Sequence, residues 1–197
     1  MDDRIQQAWE RFLNPVTLRS NLIVASLFLS AFEILRESIV ERIRDFYSIG
    51  FDTSGPKLDP KYETEVLTTN RSPVYASLAW PKESGAITDT DIATFDRVRQ
   101  TRNEIAHEIT HLLAEGLKAD YVSRFHELVA LVAKIEKWWI VNVEIPTNPD
   151  FDDKEIDEDG IVSGPILTIR LLLDIALGSE EASRIYFGEF TKRRHGA

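Results

Sequence analysis

The run from Arg102 to Leu113, RNEIAHEITHLL, holds residue types that support two different chemistries at overlapping positions. His107-Glu108-Ile109-Thr110-His111 spells HExxH. Two imidazoles one helical turn apart can hold a zinc ion while the glutamate activates its bound water, the arrangement of a metallopeptidase. Arg102, Asn103 and His107 instead combine a planar guanidinium fork suited to phosphate with an imidazole that exchanges protons near neutral pH. That pairing needs no metal and is the chemistry of a ribonuclease.

Either site has to be carried by a helix. At about 100° per residue, Phe95, Val98, Ile105, Ile109, Leu112 and Leu113 make one apolar stripe, and Arg102 falls inside it. His107 and His111 lie roughly opposite the stripe, with Asn103 one turn before His107. A guanidinium among apolar neighbours requires a carboxylate, a carbonyl or a phosphate, so a buried ion pair is the structural alternative to phosphate binding. For the two histidines the alternative is a solvated polar face. The helix is expected to start at a capping box, Thr88 to Asp91, and to run to Gly116.

A zinc site needs a third protein ligand. The extended HExxHxxGxxH pattern is not completed, because Ala114 and Leu117 stand at the glycine and third histidine positions. A glutamate about twenty residues further on is also missing, since Ala130 and Leu131 stand there. Glu127, Glu136 or His126 would have to substitute. The chain has four histidines and no cysteine, which excludes disulfides and thiolate ligands.

The elements around the motif read as helices almost throughout. Ile5, Ala8, Trp9, Phe12 and Leu13 mark a short amphipathic helix closed by Asn14-Pro15, and a long second helix follows from about Val16 to Tyr47. Its apolar part, Ser20 to Phe32, is too short to span a bilayer and reads as core. Residues 51–87 contain four X-Pro steps, at Pro56, Pro60, Pro73 and Pro81, and read as a loop-rich insert. After the motif helix comes a fourth helix, about Ala119 to Val141, with Tyr121, Phe125, Leu128, Val132, Ile135 and Trp139 on one stripe. An acidic loop at 148–160, a helix from about Pro165 to Leu177, a shorter one opened by Ser179-Glu180-Glu181 and a basic tail complete the chain. The expectation is a single all-α domain over residues 1–197, a bundle of about five to six helices with the insert between the second and third.

A net charge of −10 opposes nonspecific adhesion to nucleic acid, so an RNA partner requires a local basic site. Arg97, Arg99 and Arg102 offer one, and Lys192, Arg193 and Arg194 another. The opening Met1-Asp2-Asp3-Arg4 has neither a basic leader nor an apolar stretch, which makes the cytoplasm the expected location, with no membrane partner. Glu155 to Gly160 imitates the first half of an EF-hand loop, but Ile166 replaces the bidentate glutamate, and a solvated acidic loop is the expectation. Trp138-Trp139 continues an apolar face and reads as core or interface.

The segment Arg97 to His107, RVRQTRNEIAH, resembles the signature of the HEPN family, an arginine and a polar residue followed by a histidine, here as R-x-x-R-N-x-x-x-H. The resemblance extends over most of Val16 to Val141, with its specific part confined to those eleven residues. It implies an all-α bundle and a metal-independent endoribonuclease acting on single-stranded RNA, with no cofactor. His107 would transfer protons, Arg102 would hold the scissile phosphate, Asn103 would orient one or the other, and Arg97 and Arg99 would bind RNA. A homodimer would supply a second imidazole. Toxin–antitoxin and phage-defence effectors belong to this family, as do noncatalytic RNA-binding or protein-interaction modules, so an antitoxin partner is within its range. Ile109 stands where one toxin subclass has a tyrosine, so an antitoxin that modifies that tyrosine is not implied.

Overall fold

The computed structural model describes residues 3–53, 55–116, 118 and 120–195, with Arg4, Glu115, Ala182, Arg193, Arg194 and His195 described in backbone only. Leu117 and Ala119, named above, lie outside the described residues. Helix α1 (Asp3–Leu13) ends at Asn14, whose side chain accepts from the N–H groups of Val16 (3.0 Å) and Thr17 (3.2 Å). Asn14 therefore caps α2 (Pro15–Phe46), and Pro15 takes the first helical position, where its missing N–H costs nothing. The inward side of α2 is buried at Ala25, Phe28, Phe32, Leu35, Ile39 and Ile43, three or four residues apart, which makes it the central helix of the bundle.

The insert is more ordered than its prolines suggest. It begins with a two-stranded antiparallel hairpin, β1 (Ser48–Asp52) and β2 (Gly55–Leu58), a small addition to a fold that is otherwise all-α, as expected. Helix α2 ends at Phe46, and Gly50 sits within β1. A π turn (Tyr62–Val66) and a 3-10 turn (Leu67–Thr69) lead into α3 (Pro73–Glu83), which packs against α2. Pro73 opens this helix and Pro81 lies in its last turn. Two of the four X-Pro steps thus belong to a helix: Pro73 takes the favourable first position, and Pro81, which cannot donate to the carbonyl four residues back, stands just before the helix ends. Aromatic burial fixes the insert to the bundle: Trp80 of α3 stacks on Trp139 with ring planes 3° apart and centroids at 5.2 Å.

Helix α4 (Asp89–His107) starts with the expected capping box. The N–H of Asp91 donates to Thr88 Oγ1 at 3.4 Å, and the N–H of Thr88 donates to the Asp91 carboxylate at 2.7 Å. The motif helix does not run unbroken to Gly116. Glu108, at φ −110° and ψ 19°, leaves helical geometry, and a short α5 (Ile109–Glu115) follows. Gly116 then turns the chain at φ +94°, a conformation that favours glycine.

Helix α6 (Asp120–Trp139) buries Tyr121, Leu128, Leu131, Val132, Ile135 and Trp139 against α2 and α4. It passes through a π turn (Ile140–Glu144) into a single turn, α7 (Ile145–Thr147). The acidic stretch is an exposed loop with short turns, as expected. Helix α8 (Gly164–Leu177) packs on α2 and α6. Helix α9 (Glu180–His195) has 16 residues against 14 for α8, so the final segment is a full helix rather than a short one with a frayed tail. No helix is long and apolar enough to cross a membrane, among the described residues.

One charged side chain is part of the interior. Glu136, in line with the apolar residues of α6, is 0% exposed and receives the Arg42 guanidinium of α2, Nη2 at 2.6 Å and Nε at 3.3 Å. Arg42 also donates to Glu144 at 2.7 Å.

Candidate active site

The buried side of α4 consists of Phe95, Val98, Thr101 and Ile105. Thr101 takes the central position that helical phase alone gives to Arg102; its hydroxyl donates to the Arg97 carbonyl of the preceding turn at 3.1 Å, so it is buried with its polar group satisfied. Arg102 is displaced to the edge of the stripe, with 35% of its side chain exposed. Its guanidinium packs over the Phe32 ring, 5.6 Å from the centroid, and donates through Nη2 to Glu33 Oε1 at 3.2 Å and through Nη1 to Asn103 Oδ1 at 3.4 Å. Its Nε is buried without a hydrogen-bond partner.

Two open depressions adjoin along the outer side of α4. The larger, about 650 Å³, is lined by Tyr75, Asp96, Arg99, Gln100, Asn103, Glu104, His107 and Glu108. The smaller, about 310 Å³, continues past Tyr75, Arg99 and Asn103 to Arg102, Glu33, Arg36 and Ser72. Asn103 and Arg99 line both, so Arg102 and His107 line adjoining depressions on either side of shared residues, although helical phase alone sets the two roughly 140° apart. His107 is exposed at the C-terminal end of α4, with no hydrogen-bond or ion-pair partner among the described residues.

The other residues singled out from sequence divide. Arg99 lines the groove, its guanidinium 5.3 Å from the centre of the Tyr75 ring, and the Tyr75 hydroxyl donates to Asp96. Arg97 faces α6, donating to Thr94 Oγ1 at 2.9 Å and lying 3.5 Å from Glu127 Oε2; it lines neither depression. Glu108 lines the groove, but His111 is on α5, beyond the departure from helical geometry at Glu108, and lines neither depression. The two histidines of HExxH are therefore not on one continuous helix. Among the described residues, no three His, Asp or Glu side chains come together in a group that could hold a metal.

Arg36 and Tyr75 belong to the groove without any motif to announce them. Arg36 donates to Glu33 at 2.8 Å, so Glu33 is gripped by two guanidinium groups. The Arg36 hydrogen bond, opposed by partial burial and reinforced by Arg102, holds the Glu33 carboxyl below its ordinary value. Lys118, at 2.9 Å, does the same for Glu104, again against some burial.

Carboxylates held below their ordinary values stabilise the fold above the unfolded pKa, and that contribution is lost as pH falls through the folded value. The thermal midpoint is accordingly expected to drop as pH is lowered from about 5 towards 3. Glu33→Gln should flatten that acid limb in a pH series of melting curves. An unchanged limb would mean that Glu33 titrates alike in folded and unfolded chains.

The arrangement places a guanidinium pair, an amide and an accessible imidazole along an open groove, a set able to bind a phosphodiester and move a proton on it. Compared with known proteins, the chain matches no family model, and neither the curated proteins nor the solved structures include a significant match.

Proposed function

We propose that the protein is a metal-independent endoribonuclease of HEPN type acting on single-stranded RNA through the groove of α4. The observation that carries this reading is that Arg102 and His107 line two adjoining open depressions that share Asn103 and Arg99. Arg102 grips a scissile phosphate in place of Glu33, which stays paired with Arg36. The 2′-oxygen attacks the phosphorus, the bond to the leaving 5′-oxygen breaks, and a 2′,3′-cyclic phosphate remains. His107 takes the proton from the 2′-oxygen or gives one to the 5′-oxygen, and the complementary transfer falls to His107 of a second copy. Arg99 and Tyr75 flank the strand. A toxin or phage-defence role in the cytoplasm, with an antitoxin as a further partner, is consistent with such an activity.

The Glu33–Arg102 ion pair favours one other reading, a noncatalytic RNA- or protein-binding module in which Arg102 is structural. Incubating the pure protein with mixed single-stranded RNA, with and without EDTA, separates these. Chelator-insensitive cleavage leaving cyclic phosphate ends is the expected result. RNA retained but uncut supports the module, and chelator-sensitive proteolysis returns HExxH to first place.

A further inference from the structure

An apolar groove of about 570 Å³ runs between α2, α6 and α8, on the opposite side of α4 from the site above: Ile105 lines it, while His107, two residues on, lines the polar groove. Phe28, Ile105, Tyr121 and Ile166 are buried at its floor. From Ile166 to Leu177 the groove follows about three turns of α8, roughly 16 Å of helix. That volume drawn out over that length is a narrow trough, which suits a linear chain better than a bulky ring system.

The charges around the trough are one-sided. The chain holds 33 acidic residues against 23 basic ones, yet among the described residues no carboxylate lines this groove. Its ionisable side chains are Tyr121, whose hydroxyl is already given to Glu104 at 3.4 Å, and two others, Arg170 of α8 and His126 of α6, one from each wall. Both are exposed, which sets them at the mouth, above the apolar floor. Neither side chain has a hydrogen-bond or ion-pair partner among the described residues, whereas the guanidinium groups of Arg36, Arg42, Arg102 and Arg124 each meet a carboxylate. Arg170 is a permanent cation whose planar fork matches a carboxylate, and His126 keeps at least one N–H donor in either protonation state.

We propose that the α2/α6/α8 groove binds a monocarboxylate of medium acyl length, a fatty-acid anion, with its hydrocarbon chain along the apolar floor and its carboxylate at Arg170 and His126. Taking the chain out of water supplies the affinity, and the two polar side chains at the mouth fix which end stays outside and select its charge. A neutral head group of the same chain meets the same floor but leaves Arg170 without a counter-charge, and a cationic one meets a like charge. This site does not rest on the ribonuclease reading. It lies across α4 from His107, and its test involves no RNA.

Decanoate, decanol and decyltrimethylammonium share one chain and differ in head-group charge, so together they read the site. In isothermal titration calorimetry below the micelle concentrations, the wild type is expected to bind decanoate more tightly than decanol, and decyltrimethylammonium most weakly. Arg170→Ala should raise the Kd for decanoate about tenfold or more and leave that for decanol nearly unchanged, with the melting point of the free protein unaltered because Arg170 is exposed and unpaired. Ala130→Trp, which sets an indole into the trough from an exposed position, should abolish binding of both while the far-ultraviolet spectrum stays the same. A wild type that takes up no decanoate overturns the proposal. So does decyltrimethylammonium bound as tightly as decanoate, or an Arg170→Ala protein that keeps the wild-type preference for decanoate over decanol. Decanoate binding that survives Ala130→Trp also overturns it, by placing the ligand elsewhere, as on the exposed Phe187 and Phe190 of α9. Sedimentation equilibrium covers the remaining occupant: a dimer that Ala130→Trp breaks and decanoate does not would give the groove to a second copy instead.

Discussion

Replacing His107 with alanine is expected to lower RNA cleavage by about 100- to 10,000-fold, the range for loss of a general acid or base, while His111→Ala keeps most of the activity. The contrast decides between the two motifs that share His107, because only HExxH uses His111. Arg102→Ala should fall as far as His107→Ala, since a guanidinium aimed at a phosphate in flight supplies charge stabilisation of similar size. Its folding has to be followed in parallel: Arg102 is half-buried against Phe32 and Glu33, and a loss of cooperative unfolding would report the broken ion pair. Arg102→Lys is the sharper probe. It keeps the charge and loses the fork that can bind two phosphate oxygens together with the planar face that lies on Phe32. A folded Arg102→Lys protein cleaving at the wild-type rate would remove the catalytic role of Arg102.

Arg42→Ala is expected to destabilise the protein by about 3–5 kcal/mol, because it strands the Glu136 carboxylate at a fully buried position. Denaturant melts read this directly, as a lower midpoint with little change in slope. Glu144→Ala should cost no more than about 1 kcal/mol, since Glu144 is 47% exposed and water replaces its partner. The double variant Arg42→Met/Glu136→Leu should recover most of the loss, because two apolar side chains of similar bulk need no counter-charge. If Arg42→Ala loses less than about 1 kcal/mol, water reaches Glu136 and the pair is not an interior one.

Periodicity carried the helices. The stripe of α6 and the inward residues of α2 are visible as apolar positions three and four apart, and Asn14-Pro15 and Thr88-x-x-Asp91 announce their helix starts because capping is local chemistry between neighbours in the chain. The candidate residues were legible as a motif because Arg102, Asn103 and His107 lie close together on one helix, but helical phase by itself sent Arg102 to the core and His107 to the opposite side.

What helical phase could not supply was the ranking of neighbours. It put Arg102 in the core stripe, and packing against α2 gave that place to the smaller Thr101, leaving Arg102 at the edge where Glu33 and Phe32 meet it. Arg36 and Tyr75 joined the groove from α2 and α3, and Glu136 became a core residue, only because distant segments brought them their partners. The insert shows the same division. Its prolines are local signals and were read as breaks, whereas the order of residues 73–83 comes from Trp80 meeting Trp139, a contact between side chains 59 positions apart that no window of sequence contains. The sequence by itself thus determined most of the helices, since these follow from backbone geometry over a few residues. Tertiary structure alone decided which charges are buried and which are paired, because burial is a property of surfaces that meet only when the chain has folded.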